Sequence, residues 1–160
     1  MSKFDLSPET KIQILLQALE ERYRVLHTIR ERMQNVSLWS LGILLGAGGW
    51  LIQSKNILTC EQKILFSFFV LIAFAVVRFA YLSDLAKGFR SQQQVVARIE
   101  DILGLFDKNF SGSSEESVYP ERWKNSGLKG GDGKFIQTNY ALLYIGVVLI
   151  LIVILLNGSF

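Results

Sequence analysis

Three long apolar runs constrain this chain more than any other feature of its sequence. They cover residues 36–53, 64–82 and 139–156, and Arg78 is the one charged residue within them. Each run is close to the ~20 residues that an α-helix needs to cross the ~30 Å hydrocarbon core of a bilayer. A helix in a soluble bundle would keep a polar face, and the run that ends at Leu156 has none. We therefore expect an all-α integral membrane protein with three transmembrane helices.

The distribution of lysine and arginine predicts how these helices are oriented. Residues 1–35 contain six of them, the loop 54–63 contains two, and eight lie between residue 83 and the third run. Because these residues stay on the cytoplasmic side, we expect the N-terminus and residues 83–138 in the cytosol, with the loop and the C-terminus outside. The first 35 residues are too highly charged for a cleavable signal peptide. The predicted location is therefore the inner (plasma) membrane, crossed several times.

Two charged segments flank the first two runs and should form long cytoplasmic helices. The N-terminal stem, residues 1–35, has Ser7 as a cap before Pro8, and no glycine or proline follows until Gly42, so its helix should continue into the first run. The second stem, residues 83–106, carries apolar residues at steps of three and four, and such a stripe needs a partner helix. The predicted seam consists of Leu85, Phe89, Val96, Ile99 and Leu103.

The two stems should pair with each other. A short loop joins the first two runs, and short connections make antiparallel neighbours. We expect an antiparallel, coiled-coil-like hairpin that continues the transmembrane hairpin 36–82. Pairing of the second stem with its copy in another subunit is the alternative.

Glycines form a stripe on the first run. Gly42, Gly46 and Gly49 follow a G-x-x-x-G pattern that lets another backbone approach closely. The stripe is interpreted either as a subunit or pore-lining interface or as the surface that packs on the second run.

Aromatic and basic residues near the ends of the runs indicate the membrane–water interface. Arg78 should extend its guanidinium to the headgroups, or else face a water-filled path or an acid of a neighbouring chain. The Gly- and Ser-rich loop 107–138 contains the Trp123 island, residues 119–124, which is expected to dock on the membrane surface, pack on the stems or contact a ligand. The third run looks lipid-like all round, so we expect it at the periphery. The predicted interface residues are Trp39, Trp50, Arg78, Trp123, Tyr140 and Tyr144.

Chemical motifs are incomplete. Asp107 begins a calcium-like loop, but Val118 stands where the bidentate acid belongs, and Gly130–Lys134 lacks the pattern of a phosphate-binding loop. His27 is interpreted as a helix-surface residue, and Cys60 as inert or as an intersubunit link. We expect no catalytic, cofactor or metal site, no enzymatic activity and no nucleic-acid partner.

The arrangement of residues 8–106 resembles known small membrane proteins. A charged N-terminal helix, two spans with a short loop, and a cytoplasmic helix that reads VARIEDILGLF to Phe106 are similar to bacterial oligomeric proteins of the RipA-like type. They also resemble SLATT-type defence effectors and membrane accessories of RNA-targeting CRISPR systems. The resemblance implies a homo-oligomer in a bacterial inner membrane that acts in antiviral defence as a pore or permeability effector. The alternative is a membrane scaffold or sensor whose stems recruit a cytosolic protein.

Overall fold

The computed structural model describes residues 6–54, 57–108, 117–128 and 133–158. Within these ranges the regular structure is helical, and three helices are long and apolar enough to cross a membrane. The predicted all-helical chain with three long apolar helices is thus confirmed. The elements are α1 (Pro8–Gln53), α2 (Cys60–Ala75), a π-helical segment (Val76–Leu82), α3 (Ser83–Ile102), a 3₁₀ turn (Glu121–Trp123) and α4 (Lys134–Leu156).

The chain divides into two compact units, which we describe separately. The stem unit consists of the described residues within 1–30 and 87–131. The apolar unit consists of the described residues within 31–86 and 132–160. The first contains the charged parts of α1 and α3, and the second contains the apolar runs.

The N-terminus of α1 has the predicted cap. The Ser7 hydroxyl accepts a hydrogen bond from the Thr10 backbone N–H at 3.3 Å, and Pro8 is the first helical residue. The Ser7 hydroxyl satisfies one N–H that a helix start leaves free, and Pro8 has no N–H that would need a partner. The helix then runs without a break to Gln53, as predicted.

The loop between the first two runs is shorter than the predicted range 54–63. A capping box starts α2 at Cys60: the Gln62 N–H donates to the Thr59 hydroxyl at 3.3 Å, and the Gln62 side chain accepts from the Thr59 N–H at 3.0 Å. The two reciprocal bonds fix the first turn before the apolar run begins.

The second stem also ends before the predicted Phe106. α3 stops at Ile102, and Gly104 follows with a φ of 77°. The Leu105 N–H bonds to the Glu100 carbonyl at 3.1 Å, and the Gly104 N–H bonds to the Asp101 carbonyl at 3.0 Å. This pair of bonds is a Schellman motif, which requires a left-handed residue where glycine is favoured.

The expectation that the third run is peripheral was wrong. α4 begins at Lys134, before the predicted residue 139, and it is the most buried of the three apolar helices. One side of this uniformly apolar helix packs against protein, and the other side is exposed. The buried residues are Ile136, Asn139, Tyr140, Leu143, Gly146, Val147, Ile150 and Ile154.

The core of the apolar unit lies where α4 contacts α1 and α2. Leu51, Ile150 and Ile154 are buried together. Partly buried residues from α1, α2 and α4 and from the turn before α2 surround them, namely Leu44, Leu58, Val70 and Val153.

Candidate functional site

In the stem unit, α1 lies against α3 through polar and apolar contacts. Arg22 donates from Nη1 to the Gln92 side chain at 3.2 Å, and the Tyr23 hydroxyl donates to the Glu100 carboxylate. Leu26 lies beside these pairs and shares a pocket with Val96 of α3. These contacts bring together the two segments that the sequence predicted to pair within one chain.

The predicted seam residues lie on the protected side of their helix. Val96 and Ile99 are buried, and Leu85, Phe89 and Leu103 are half-buried. Leu85 belongs to the apolar unit and the others to the stem unit. The stripe therefore faces protein along its length, while coiled-coil geometry itself stays a prediction.

The island around Trp123 packs on α3 and on the residues that follow it. The rings of Phe106 and Tyr119 lie 6.0 Å apart, and those of Tyr119 and Trp123 lie 5.6 Å apart. Lys124 Nζ lies 2.7 Å from the Asp101 carboxylate. Packing on the stem was one of three alternatives for this island, and docking on a membrane surface stays a prediction.

A second glycine turn holds this island in place. Gly127 has a φ of 79°, and its carbonyl accepts from the Gln94 side chain at 2.8 Å. A Cβ at this position would lie 2.6 Å from the Arg90 carbonyl oxygen. Only glycine fits both the backbone conformation and the space.

The island and the two helices line an open pocket of about 300 Å³ in the stem unit. Glu100 is only 5% exposed although it is an acid. Burial and the adjacent Glu100 carboxylate raise the pKa of Tyr23 well above its usual range. The hydroxyl therefore stays protonated and donates a hydrogen bond to Glu100. The lining residues are Tyr23, Leu26, Gln93, Val96, Ala97, Glu100, Trp123 and Ser126.

In the apolar unit, the one charged side chain of the three apolar runs, Arg78, stacks on an aromatic ring. The Arg78 guanidinium carbon lies 3.5 Å from the centre of the Tyr140 ring and 5.4 Å from that of Phe79. Its Nε is buried and has no hydrogen-bond partner among the described residues. Arg78 lies in the π-helical segment, a feature that often marks functional positions. Arg78 thus makes a cation–π contact that the sequence did not reveal, and its extension to the headgroups stays a prediction.

Other polar side chains of this unit are buried close to helix backbone. The Asn139 amide donates to the Phe135 carbonyl at 2.9 Å, while its Oδ1 is buried and has no partner in the part of the chain that the structure describes. The Ser37 hydroxyl donates to the Met33 carbonyl at 2.9 Å. Both local bonds satisfy donors inside an apolar environment.

The predicted glycine stripe and the glycines that make contact are different sets. Gly42, Gly46 and Gly49 are exposed, and a Cβ on any of them would meet no atom of the described chain within 4 Å. Gly48 instead packs on α4, and a Cβ at Gly146 would lie 3.0 Å from Leu44 and 3.1 Å from Leu41. Packing of the stripe on the second run, one of its two interpretations, is not seen among the described residues.

The remaining interface residues differ in exposure. Trp39 and Trp50 are 73% and 66% exposed, as a lipid-interface position requires. Tyr144 stacks on Phe74 at 5.2 Å, and Tyr140 is buried under Arg78. The interface role of all four stays a prediction.

The sequence did not predict the side-chain hydrogen bonds at the C-terminal end of α4. Lys63 Nζ donates to the carbonyls of Leu155 at 3.1 Å and Asn157 at 2.6 Å, which complements the negative end of the helix. The Asn157 side chain also accepts from the Leu58 N–H at 2.8 Å. An asparagine directly after a long apolar run was the available signal.

Metal-binding geometry is not found among residues 6–54, 57–108, 117–128 and 133–158, which contain no cluster of three His, Cys, Asp or Glu side chains. The two incomplete motifs, 107–118 and 130–134, lie partly outside the described residues. His27 and Cys60 are both exposed.

Comparisons of this chain with protein families, curated proteins and solved structures give no match.

Proposed function

We propose that this chain is a multi-pass inner-membrane protein that forms homo-oligomers and alters membrane permeability as an effector or accessory of a bacterial defence system. Its stem unit lies in the cytosol, and its first transmembrane helix contacts a second copy. The resemblance of residues 8–106 to oligomeric effectors supports the defence role. The glycine stripe of α1 is the observation that carries the self-association.

The position of the stripe on α1 supports contact between copies. At 3.6 residues per turn, Gly42, Gly46 and Gly49 fall within an arc of about 60°. Leu44, Gly48 and Leu51, which pack on α4, fall on the opposite side of the helix. Glycine lowers helix stability by roughly 0.5–1 kcal/mol per residue relative to alanine. Three glycines on the side of α1 that faces away from α4 lower the stability of the helix. The close approach of another helix best explains why they are there.

The exposure of α2 agrees with such an assembly. None of its residues is buried, although it is largely apolar from Ile64 to its end. It is therefore available to lipid and to neighbouring copies, as an outer helix of an oligomer requires.

Size-exclusion chromatography with light scattering in detergent tests the self-association. We expect an oligomer for the native chain and a smaller species for Gly46→Leu, because the added side chain blocks the approach of a second helix. Ala47→Leu is the matched control, since Ala47 is exposed on the same turn but lies off the stripe. A native chain that is monomeric would contradict the proposal.

Dye release from liposomes tests the effect on permeability. We expect release with the native chain at densities where it is oligomeric, and much less release with Gly46→Leu. Liposomes that stay intact with an oligomeric native chain would remove the permeability function and leave the oligomer.

A second function, recruitment of a cytosolic protein, is supported by a different observation. Ile12 and Leu16 lie one turn apart on α1 in the stem unit and are 49% and 52% exposed. Such an apolar pair on a helix surface is typical of a binding site for another helix.

A pull-down distinguishes this function from the first. The double variant Ile12→Glu/Leu16→Glu should lose a bound protein while the oligomer and the dye release persist. Gln13→Glu/Gln17→Glu, which adds the same charge at exposed neighbouring positions, should retain it. Equal loss with both double variants would indicate a general charge effect and exclude this surface.

A further inference from the structure

The pocket between α1, α3 and the Trp123 island combines one buried acid with apolar walls. Its volume is about 300 Å³, at the lower end of the range for small-molecule sites. All of its lining residues belong to the stem unit. A ligand of few atoms would therefore contact residues of a single compact unit.

Glu100 gives this pocket a negative charge. The carboxylate is 5% exposed and accepts a hydrogen bond from Tyr23, whose hydroxyl is neutral. An ionised carboxylate has about four acceptor positions, and Tyr23 occupies one of them. A buried carboxylate is costly unless a cation or several donors face it.

The lysine of the island, Lys124, pairs with a different carboxylate. Lys124 Nζ lies 2.7 Å from Asp101, and this carboxylate raises the pKa of the Lys124 ammonium. Lys124 and Asp101 together line a neighbouring depression that does not include Glu100. The ion pair holds the island on α3 and leaves Glu100 facing the pocket.

The walls of the pocket suit the body of an organic cation. Trp123 is 47% exposed, so a ligand can reach its indole, which is the aromatic side chain that attracts cations most strongly. Leu26 and Val96 supply apolar surface, and the Gln93 amide and the Ser126 hydroxyl supply polar atoms at the rim.

We propose that this pocket binds a small organic ammonium ion. The ammonium group donates to the Glu100 carboxylate, and the carbon body lies against the Trp123 indole. This site goes beyond the proposed oligomer and permeability functions and does not depend on either of them.

Isothermal titration calorimetry of the purified full-length chain in detergent tests the site with 2-phenylethylammonium. The neutral probe 2-phenylethanol has the same shape and measures binding to micelles and apolar surface. We expect saturable binding of the ammonium and at least tenfold weaker binding of the alcohol, because only the cation pairs with Glu100.

Two pocket variants and one control locate the binding. Glu100→Gln and Trp123→Ala should each weaken the ammonium about tenfold or more. Glu121→Gln should leave it unchanged, since Glu121 lies on the same 3₁₀ turn but does not line the pocket. Circular dichroism establishes whether Glu100→Gln folds. If Glu100→Gln does not fold, the affinity of Trp123→Ala for the ammonium decides whether the pocket is the binding site.

Three results would overturn the proposal. They are absence of saturable ammonium binding, equal binding of the alcohol, and full binding by both pocket variants. A lysine side chain shares the ammonium chemistry, so the peptide acetyl-Gly-Lys-Gly-amide is titrated in parallel. Tighter binding of the peptide than of phenylethylammonium would indicate that the pocket binds a lysine side chain of a protein partner and not a small ligand.

Discussion

At the residue scale, two glycines of the stem unit have opposite effects on stability. Gly127 requires a left-handed backbone next to the Arg90 carbonyl, so Gly127→Ala should destabilise the unit by about 1–3 kcal/mol. Gly88 lies inside α3 with open space around its Cα, so Gly88→Ala should stabilise it by about 0.5–1 kcal/mol. Thermal unfolding followed by circular dichroism measures both. If Gly127→Ala stabilised the unit, the left-handed backbone conformation at Gly127 would be contradicted.

Tyr23 gives the stem unit a dependence on alkaline pH. Its pKa in the folded chain lies above the ordinary value of about 10, because burial and Glu100 disfavour the phenolate. Between these two pKa values the unfolded chain has released a proton that the folded chain retains. Stability contributed by Tyr23 is therefore complete below about pH 10 and falls as the pH rises.

Thermal melts of the native chain and of Tyr23→Phe over this range measure the effect. We expect a steeper fall for the native chain, since the variant lacks the titrating group and retains the others. Parallel curves would show that Tyr23 is not linked to folding in this way.

The Arg78–Tyr140 contact should contribute to the stability of the apolar unit. Tyr140→Leu should destabilise it by about 1–2 kcal/mol, because the desolvated guanidinium loses the ring face. Phe79→Leu is the control, since Phe79 is exposed and its ring centre is 5.4 Å from the guanidinium carbon. Unfolding in mixed micelles, followed by tryptophan fluorescence, compares the two. Equal losses would mean that stacking on Tyr140 has no special role.

At the element scale, glycines distinguish the two sides of α1. Gly146→Leu should disrupt the packing of α4 on α1, because Leu41 and Leu44 already lie 3.0–3.1 Å from the position of a Cβ. We expect a lower unfolding temperature of the monomer for Gly146→Leu, and an altered oligomer without a lower unfolding temperature of the monomer for Gly46→Leu. Light scattering and thermal unfolding in the same detergent separate these outcomes. Loss of monomer stability in Gly46→Leu would place the stripe inside the fold.

The bounds of the helices could be predicted from the sequence where a local signal sets them. Ser7 and Pro8 start α1, and the absence of Gly and Pro before Gly42 lets it continue. The same kind of signal was present but overlooked at Gly104, where a left-handed residue ends α3. Thr59 and Gln62 were likewise overlooked as a capping box.

Contacts between elements could not be predicted in this way. The α4 sequence is equally apolar toward lipid and protein, so hydrophobicity alone could not reveal that it packs on both other helices. Glu100 is buried because Tyr23, distant in sequence, and the Trp123 island meet it. No periodicity within α3 contains that information, and the candidate pocket was therefore not predicted.

At the scale of the whole molecule, the proposed chain crosses the membrane three times, with its stem unit in the cytosol. Lysine and arginine are concentrated before the first apolar run and between the second and third. Cys60 is the one cysteine of the chain and is exposed at the start of α2, on the side expected to face outward. It therefore reports orientation directly.

Labelling of Cys60 with a membrane-impermeant maleimide in cells with an intact inner membrane is the most direct test. We expect the native chain to be labelled before lysis, and the variant Cys60→Ser/Glu20→Cys, whose thiol lies on α1 in the stem unit, to be labelled only after lysis. Protection of Cys60 together with labelling at residue 20 in intact cells would contradict the proposed orientation, and recovery of the chain in the soluble fraction would contradict the membrane protein itself.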